Sequence, residues 1–287
     1  MQISGRTQIV GIIGDPVAHS LSPAMHNAAF RALKLDFAYV AFPVGPAHVR
    51  QALEGIRALG IAGVNVTVPH KERVITWLDS ISPTARRAGA VNTIVQRDGR
   101  LHGENTDVTG FLHALRDGGF LSQGRRALVI GAGGVARAVV TALVEGDAGT
   151  VTVANRTVAR ARRLTRTFRS TAVNLSAAPL TVLQEREVLG SVDLIVNATS
   201  VGLHGERFFP LAYGATPPAC VFVDLIYARR TDFLARAQRV QRRSLDGSGM
   251  LVHQGAAAFK LWTGRAAPIA VMRAALRDAT PFKVPAS

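Results

Sequence analysis

Cysteine is almost absent from the 287-residue chain: Cys220 alone is present, inside the apolar run "ACVFVDLIY". No intramolecular disulfide and no cysteine-based metal site is expected, and the thiol is read as a small buried hydrophobe. Aromatic residues are scarce at 6%, and few of them interleave with the cations, so a base-stacking surface is not indicated. No stretch approaches the roughly 18 uninterrupted apolar residues of a membrane span. The start, "MQISGRTQIVGIIG", lacks the basic segment, apolar core and cleavage site of a signal peptide. A cytoplasmic protein with no membrane partner is the expectation. Acidic residues are outnumbered, 19 against 34 Lys plus Arg, for a formal net charge of +15. Such an excess suits phosphate-bearing partners, but the arginines are spread through every helical stretch, with one dense block at "NRTVARARRLTRTFR". Nucleic acid is therefore not expected as a partner. Lysine is the rare cation, confined to Lys34, Lys71, Lys260 and Lys283.

What is present is a chain with 48% hydrophobic residues, long enough for two domains of roughly 100–200 residues. Strand-like and helical patterns alternate. "TQIVGIIG" reads as a buried strand. Ser22-Pro23 then starts a helix, Ser as N-cap and Pro at the first helical position, with apolar Met25, Ala28, Ala29 and Leu33. "DFAYVAF" is a strand, and "PAHVRQALEGIRALG" a helix with Val49, Leu53 and Ile56 on one face, stopped by Gly60. "GVNVTV" is a third strand, "PHKERVITWL" opens a helix, and "VNTIVQRDGRLHG" is a hairpin turned at Asp98-Gly99. After "ENTD" comes the helix "VTGFLHALRDGGF". A second series then begins at Arg126, with strands "RALVIG", "TVTVAN", "TAVNLS", "DLIVNAT" and "CVFVDLIY", and two helices close the chain. The pattern predicts an α/β protein with a mostly parallel sheet in each half, the second doubly wound around a nucleotide site.

"LVIGAGGVARAVVTAL" places Gly131-x-Gly133-x-x-Ala136 between strand and helix. Gly131, Ala132, Gly133, Gly134 and Val135 are the expected pyrophosphate cradle, since glycines let the backbone turn tightly and let phosphate approach the helix N-terminus. A NAD-binding chain would place an acidic residue on the ribose about 20 residues further on. Here the next strand ends in Asn155-Arg156-Thr157, with Arg160 one turn later. Two guanidiniums and two small polar groups suit a 2′-phosphate, so NADP is the expected cofactor. Arg162, Arg163, Arg166 and Arg169 read as a solvated helix face.

A reductase that interconverts alcohol and ketone needs a group that gives or takes one proton as hydride moves. Arginine stays protonated in proteins, whereas lysine can be tuned towards neutrality. In an arginine-rich chain, Lys71 just beyond an interior strand is thus a candidate proton shuttle. His19 and His70 adjoin the motifs, but neither has a carboxylate at a spacing that argues catalysis. His26, His48 and His253 read as ordinary surface or core histidines, and no spacing suggests a metal site.

The motifs "HSLSPAMHN", "GVNVTVPHKE", "GAVNTI", "GENTD", "GAGGVAR", "NRTVAR", "NATS" and "GMLVHQ" follow one another along nearly the whole chain, and in this the protein resembles the shikimate dehydrogenases. The resemblance implies NADPH-dependent reduction of 3-dehydroshikimate to shikimate in chorismate and aromatic amino-acid biosynthesis. It implies a split substrate domain, 1–106 completed by 247–287, around an NADP-binding domain, 107–246. It assigns Lys71 the proton transfer and Asp107 the carboxylate beside it. Ser20 and Ser22 resemble the hydroxyl pair for the substrate carboxylate, and Asn65, Thr67, Asn92, Tyr227 and Gln254 match the remaining substrate contacts. Leu225 and Gly247 are added on the cofactor side. A small-molecule substrate is the implied partner, and a homodimer is compatible with it.

Three positions depart from the family pattern: Val108 follows Asp107 where glycine is usual, Leu225 replaces Met, and Pro83 stands where an acidic residue approaches the cofactor. A volume-conserving Met-to-Leu exchange predicts little loss. Competing readings are a quinate/shikimate or aminoshikimate dehydrogenase, opposed for NAD by Asn155-Arg156-Thr157, and a glutamyl-tRNA reductase, opposed by the placement of Cys220. A non-catalytic NADP sensor is opposed by the presence of both Lys71 and Asp107.

Overall fold

The structure is a computed structural model that describes residues 3–169, 171–227 and 229–280. The chain forms two compact units, Met1–Gly110 with Leu251–Ser287, and Phe111–Met250. In chain order the first unit supplies β1 (Gln8–Gly14), α1 (Ser22–Ala32), β2 (Phe37–Pro43), α2 (Val49–Ala58), β3 (Gly63–Val66), β4 (Ser80–Ile81), α3 (Pro83–Ala88), β5 (Thr93–Arg97), β6 (Arg100–Glu104) and the start of α4 (Thr106–Asp117). The second supplies β7 (Arg126–Ile130), α5 (Gly134–Glu145), β8 (Thr150–Ala154), α6 (Val158–Arg166), β9 (Asn174–Ala178), α7 (Arg186–Leu189), β10 (Leu194–Asn197), β11 (Val221–Asp224), α8 (Asp232–Arg239) and β12 (Arg243–Leu245). Then α9 (Ser248–Thr263) and α10 (Ile269–Ala279) return to the first.

The first sheet has the order β2-β1-β3-β5-β6-β4. Its β1, β2 and β3 are parallel, and the β5–β6 hairpin joins β3 antiparallel. Successive side chains of a strand alternate between faces, so β1 serves two cores. Ile13 packs with Val49, Leu53, Ile56, Val64 and Ile94, while Val10 and Ile12 pack with Met25, Phe30, Val252, Phe259 and Met272. That double burial explains the nearly continuous apolar run of "IVGII". The hairpin turns where Asp98 and Gly99 both take positive φ, 51° and 74°, the geometry Asp-Gly favours.

His26 lies in the second of these cores with no exposed surface. Its ring is stacked 4.5 Å from Tyr39 and 6.4 Å from Phe259, and tilted against Trp262. Neither ring nitrogen has a hydrogen-bond partner, and burial lowers its pKa from 6.5 to about 3. The imidazole is neutral in the fold, but the unfolded chain takes up a proton below about pH 6.5. Its contribution is whole above that pH and is lost as pH falls towards 3. At pH 5 the loss is about 2 kcal/mol. Asp224 in the second unit runs the other way: burial raises its pKa from 3.8 to about 6, so its contribution falls as pH rises between those values. The clean observable is a difference. Relative to a His26→Leu variant, wild-type unfolding free energy should drop by about 2 kcal/mol between pH 7.5 and 5.0 in urea titrations. A difference independent of pH would refute this account of His26.

The second sheet, β12-β11-β10-β7-β8-β9, is parallel throughout. Leu128, Ile130, Ile195, Phe222 and Phe233 fill one of its faces. The order is that of a doubly wound dinucleotide-binding domain, whose ligand crevice lies at the carboxyl ends of the strands where the winding reverses, between β7 and β10.

Several sequence expectations need correcting. Ser22 is not an N-cap: Leu21 is already helical in backbone and occupies that place, and no side chain caps the helix. "PHKERVITWL" does not open an α-helix. Lys71 sits in a turn, and a 3₁₀ segment begins only at Arg73. Asp107 belongs to the first turn of α4, which starts at Thr106 rather than beyond "ENTD". The strand read at "TAVNLS" begins at Asn174, and β12, hidden in the arginine-rich "RSL", went unread. The boundaries of the two compact units, Gly110 and Leu251, fall inside the continuous helices α4 and α9.

Candidate active site and dinucleotide crest

In the first unit, β3 carries Asn65 into a buried polar network. Asn65 Oδ1 accepts from the Tyr39 hydroxyl at 2.8 Å, and its Nδ2 donates to Thr93 Oγ1 at 3.0 Å and to the Asn92 carbonyl at 3.2 Å. Asn92, 2% exposed at the foot of β5, is the hub. Its Nδ2 donates to Asp107 Oδ1 at 2.8 Å and to Thr106 Oγ1 at 3.0 Å, and reaches Gln254 Oε1 at 3.5 Å. Its Oδ1 accepts from the Thr106 amide at 2.7 Å. Buried amides must satisfy both ends, and here the pairing also fixes which way the Asn92 side chain faces.

Lys71 closes the network. Its Nζ donates to Asp107 Oδ2 at 2.6 Å, with side chains 15% and 7% exposed, while its carbonyl accepts from the Val91 amide at 2.8 Å. The two Asp107 oxygens are thus divided, one held by Asn92 and one by Lys71. Gly110 permits the approach of α9, since a Cβ there would press on the Gln254 backbone at 2.8 Å.

Lys71, Asp107, Asn92, Asn65 and Gln254 are therefore brought together. Ser20 and Ser22 meet each other, through the Ser22 amide and Ser20 Oγ at 3.3 Å, and no hydrogen bond among the described residues joins them to that network. Thr67, half-buried just past β3, is tied by its amide to the Ile13 carbonyl at 2.9 Å. The sequence reading missed Tyr39, Thr93 and Thr106. The two threonines stand inside "GAVNTI" and "GENTD", beside residues already singled out, so the signal for them was at hand. Nothing marked Tyr39 in "DFAYVAF".

In the second unit, β7 is followed by Gly131, whose φ of +116° and closeness to Ala198 exclude a side chain: a Cβ would lie 2.7 Å from the Ala198 carbonyl oxygen. Gly133 faces open space and leads into α5, whose first turn has no acidic residue and no side-chain cap. Its leading amides are left for an anion. Ala132, Gly134 and Val135 are partly exposed there, and Ala136 is fully buried where helix meets sheet. Beyond β8, Asn155 folds its Nδ2 onto the Thr157 carbonyl at 2.9 Å. Arg156, Thr157 and Arg160 are exposed, and neither guanidinium has a side-chain partner among the described residues. An open glycine cradle with two unpaired cations at the neighbouring strand end fits a dinucleotide that carries a 2′-phosphate. Arg162, Arg163, Arg166 and Arg169 are exposed, while Ala161, Leu164 and Phe168 face inward.

Leu225 and Tyr227 follow β11. Burial raises the Tyr227 phenol above its ordinary pKa and keeps it neutral. Gly247 is buried against the same turn: its amide donates to the Ile226 carbonyl at 3.1 Å, and a Cβ would collide with the Leu225 carbonyl.

Family models cover most of this architecture: a shikimate dehydrogenase substrate binding domain matches residues 12–94, a shikimate / quinate 5-dehydrogenase model 117–205, and a shikimate 5'-dehydrogenase C-terminal domain 247–277. A protein of Geobacter sp. (strain M21) named shikimate dehydrogenase (NADP(+)) is 47% identical, over 98% of this chain and 99% of its own. The chain belongs to the shikimate dehydrogenase family. Among solved members, shikimate 5-dehydrogenase of Thermus thermophilus, in complex with NADP(H) and shikimate, superposes with a TM-score of 0.84 at 41% identity, covering 95% of this chain and 99% of that one. Quinate dehydrogenase of Corynebacterium glutamicum, in complex with NAD, reaches a TM-score of 0.86 at only 28% identity, covering 95% and 99%. The fold is thus shared more widely than the residues are. Among the described residues no helix is long and apolar enough to cross a membrane.

Proposed function

We propose that this protein reduces 3-dehydroshikimate reversibly to shikimate with NADPH, in the cytoplasm, as a step of chorismate and aromatic amino-acid biosynthesis. The observation that carries the reading is the 2.6 Å contact of Lys71 with Asp107 inside a buried network, in a chain 47% identical to a protein named shikimate dehydrogenase (NADP(+)). In this reading 1–106 with 247–287 bind the substrate and 107–246 bind the dinucleotide. The nicotinamide, when bound, supplies the hydride. Lys71 Nζ gives a proton to the ketone oxygen, and takes it from the hydroxyl in the reverse direction.

Asp107 holds Nζ in place and is itself fixed by Asn92, so the shuttle keeps one orientation without a substrate to impose it. Asn65, Thr67, Asn92 and Gln254 offer donors and acceptors to the ring hydroxyls, and Ser20 with Ser22 offers hydroxyls to the substrate carboxylate. Water is kept from the Lys71–Asp107 pair by its burial, which strengthens the contact. Arg156 and Arg160 take the 2′-phosphate. A homodimer is retained in the reading, to be tested by the mass of the protein in solution.

The test is an initial-rate assay of shikimate and quinate oxidation, each with NADP and with NAD, followed at the nicotinamide absorbance. Shikimate with NADP should exceed every other pair by at least about tenfold in kcat/KM, the loss expected when one charge-assisted contact is missing. Equal or greater activity with quinate and NAD would overturn the reading.

A further inference from the structure

Asp224 is a carboxylate with no exposed surface that no step above uses. It ends β11, and around it meet three segments of the second unit. Asn197 Nδ2, at the end of β10, donates to Asp224 Oδ1 at 3.0 Å, and the Ile226 amide donates to the same oxygen at 3.1 Å. The Thr231 hydroxyl donates to Oδ2 at 2.6 Å, while its oxygen also accepts from Leu234 to cap α8. Among the described residues no cation forms an ion pair with it. Burial pushes the carboxyl up to about 6 in spite of these donors, so the site bears a desolvation cost that a merely polar tie would avoid.

The segments it joins are the ones that form the crest beside the glycine loop. Asn197, gripped by Asp224, turns its own Oδ1 back to the Thr199 amide at 3.1 Å and the Thr199 hydroxyl at 2.7 Å, and Thr199 Oγ1 accepts from the Val201 amide at 3.1 Å. That knot shapes "NATSVG". Ala198, within it, accounts for the close approach to Gly131. On the other side, the Leu225 amide donates to the Asn197 carbonyl at 3.2 Å, and Gly247 seals the Leu225–Ile226 backbone.

We propose that Asp224 is a positioning residue for dinucleotide binding: its carboxylate locks the Asn197–Gly202 loop to the Leu225–Tyr227 turn and so sets the half of the crest formed by β10 and β11. The proposal rests on the NADP reading given above. It separates the crest into two halves, because β8, with Arg156, lies across β7 from β10 and β11. A ligand that reaches only the β8 end should not depend on Asp224.

Calorimetric titration of the purified protein with NADP and with 2′,5′-ADP tests this without turnover. Asp224→Ala should weaken NADP about tenfold, as for loss of a hydrogen bond to a charged group, and leave 2′,5′-ADP within about twofold. Asp224→Asn, which keeps Oδ1 and can pair with Thr231 through the opposite donor sense, should restore NADP affinity to within about threefold of wild type. Unchanged NADP affinity in folded Asp224→Ala, or equal weakening of both ligands, overturns the proposal. If Asp224→Ala does not fold, Thr231→Val carries the test, with NADP expected to weaken about threefold or more and 2′,5′-ADP unchanged; no change in NADP overturns it. Wild-type protein that binds no NADP would overturn the cofactor reading and this proposal together, whereas tight wild-type binding with equal variants overturns this proposal alone.

Discussion

Lys71→Arg should cut kcat for shikimate oxidation by about 10²–10⁴ while leaving the fold as stable as wild type within about 1 kcal/mol, the range for loss of a positioned proton donor without loss of charge. A guanidinium can still reach Asp107, which sits 2.6 Å from Nζ, so the pair and its stabilisation survive. What it cannot do is take the proton from the substrate hydroxyl, since a guanidinium never gives up its own. Lys71→Met makes the complementary change. It removes charge and proton together and leaves Asp107 Oδ2 without its partner, while Oδ1 keeps Asn92 at 2.8 Å. A buried acceptor left unmet costs about 1–3 kcal/mol, so Met should lose both stability and turnover. Thermal unfolding measured beside single-turnover rates separates the two. If Arg kept more than a tenth of wild-type kcat, Lys71 would be an anchor for Asp107 and not a proton shuttle.

How much of this was legible in the sequence follows from the range of each interaction. The alternation of β1 and β3, the Asp98-Gly99 turn and the Gly131 loop are local, and local patterning reveals them. Lys71 drew notice by being a lysine among arginines, and the Asp107 beside it came from the resemblance. The partners that orient them are non-local. Tyr39 reaches Asn65 across 26 positions, and Gln254 meets Asn92 across 162, and no periodicity encodes such separations. The errors have local causes. Pro69 and the turn after it delay the helix read at "PHKERVITWL", and the cap read at Ser22 was shifted because Leu21 is already helical. Asp224 was passed over as part of an apolar strand, since "VFVDLIY" shows a charge but not the three donors that converge on it.

Arg156→Ala should raise the dissociation constant for NADP by about 10- to 100-fold and leave that for NAD nearly unchanged, since one charge-assisted contact to phosphate contributes about 1.5–3 kcal/mol. Arg156 and Arg160 are exposed and free of side-chain partners among the described residues, so the substitution strips no structural contact. No change in melting temperature is expected. Exposure also means solvent and salt screen the attraction. The NADP preference should therefore shrink as ionic strength rises, with a Debye length near 10 Å at about 0.1 M. Because Asn155 commits its Nδ2 to the Thr157 carbonyl at 2.9 Å, the strand end keeps its shape in the variant and any loss is attributable to the guanidinium. Combining the change with Arg160→Ala should deepen the loss by more than the product of the two single effects, since a cation left alone on the dianionic phosphate holds it more strongly than one that shares it. Titrations of both dinucleotides at two salt concentrations would test the assignment. If NADP and NAD weakened alike, Arg156 would be shaping the turn, and the preference for the phosphorylated cofactor would have to come from elsewhere on β8.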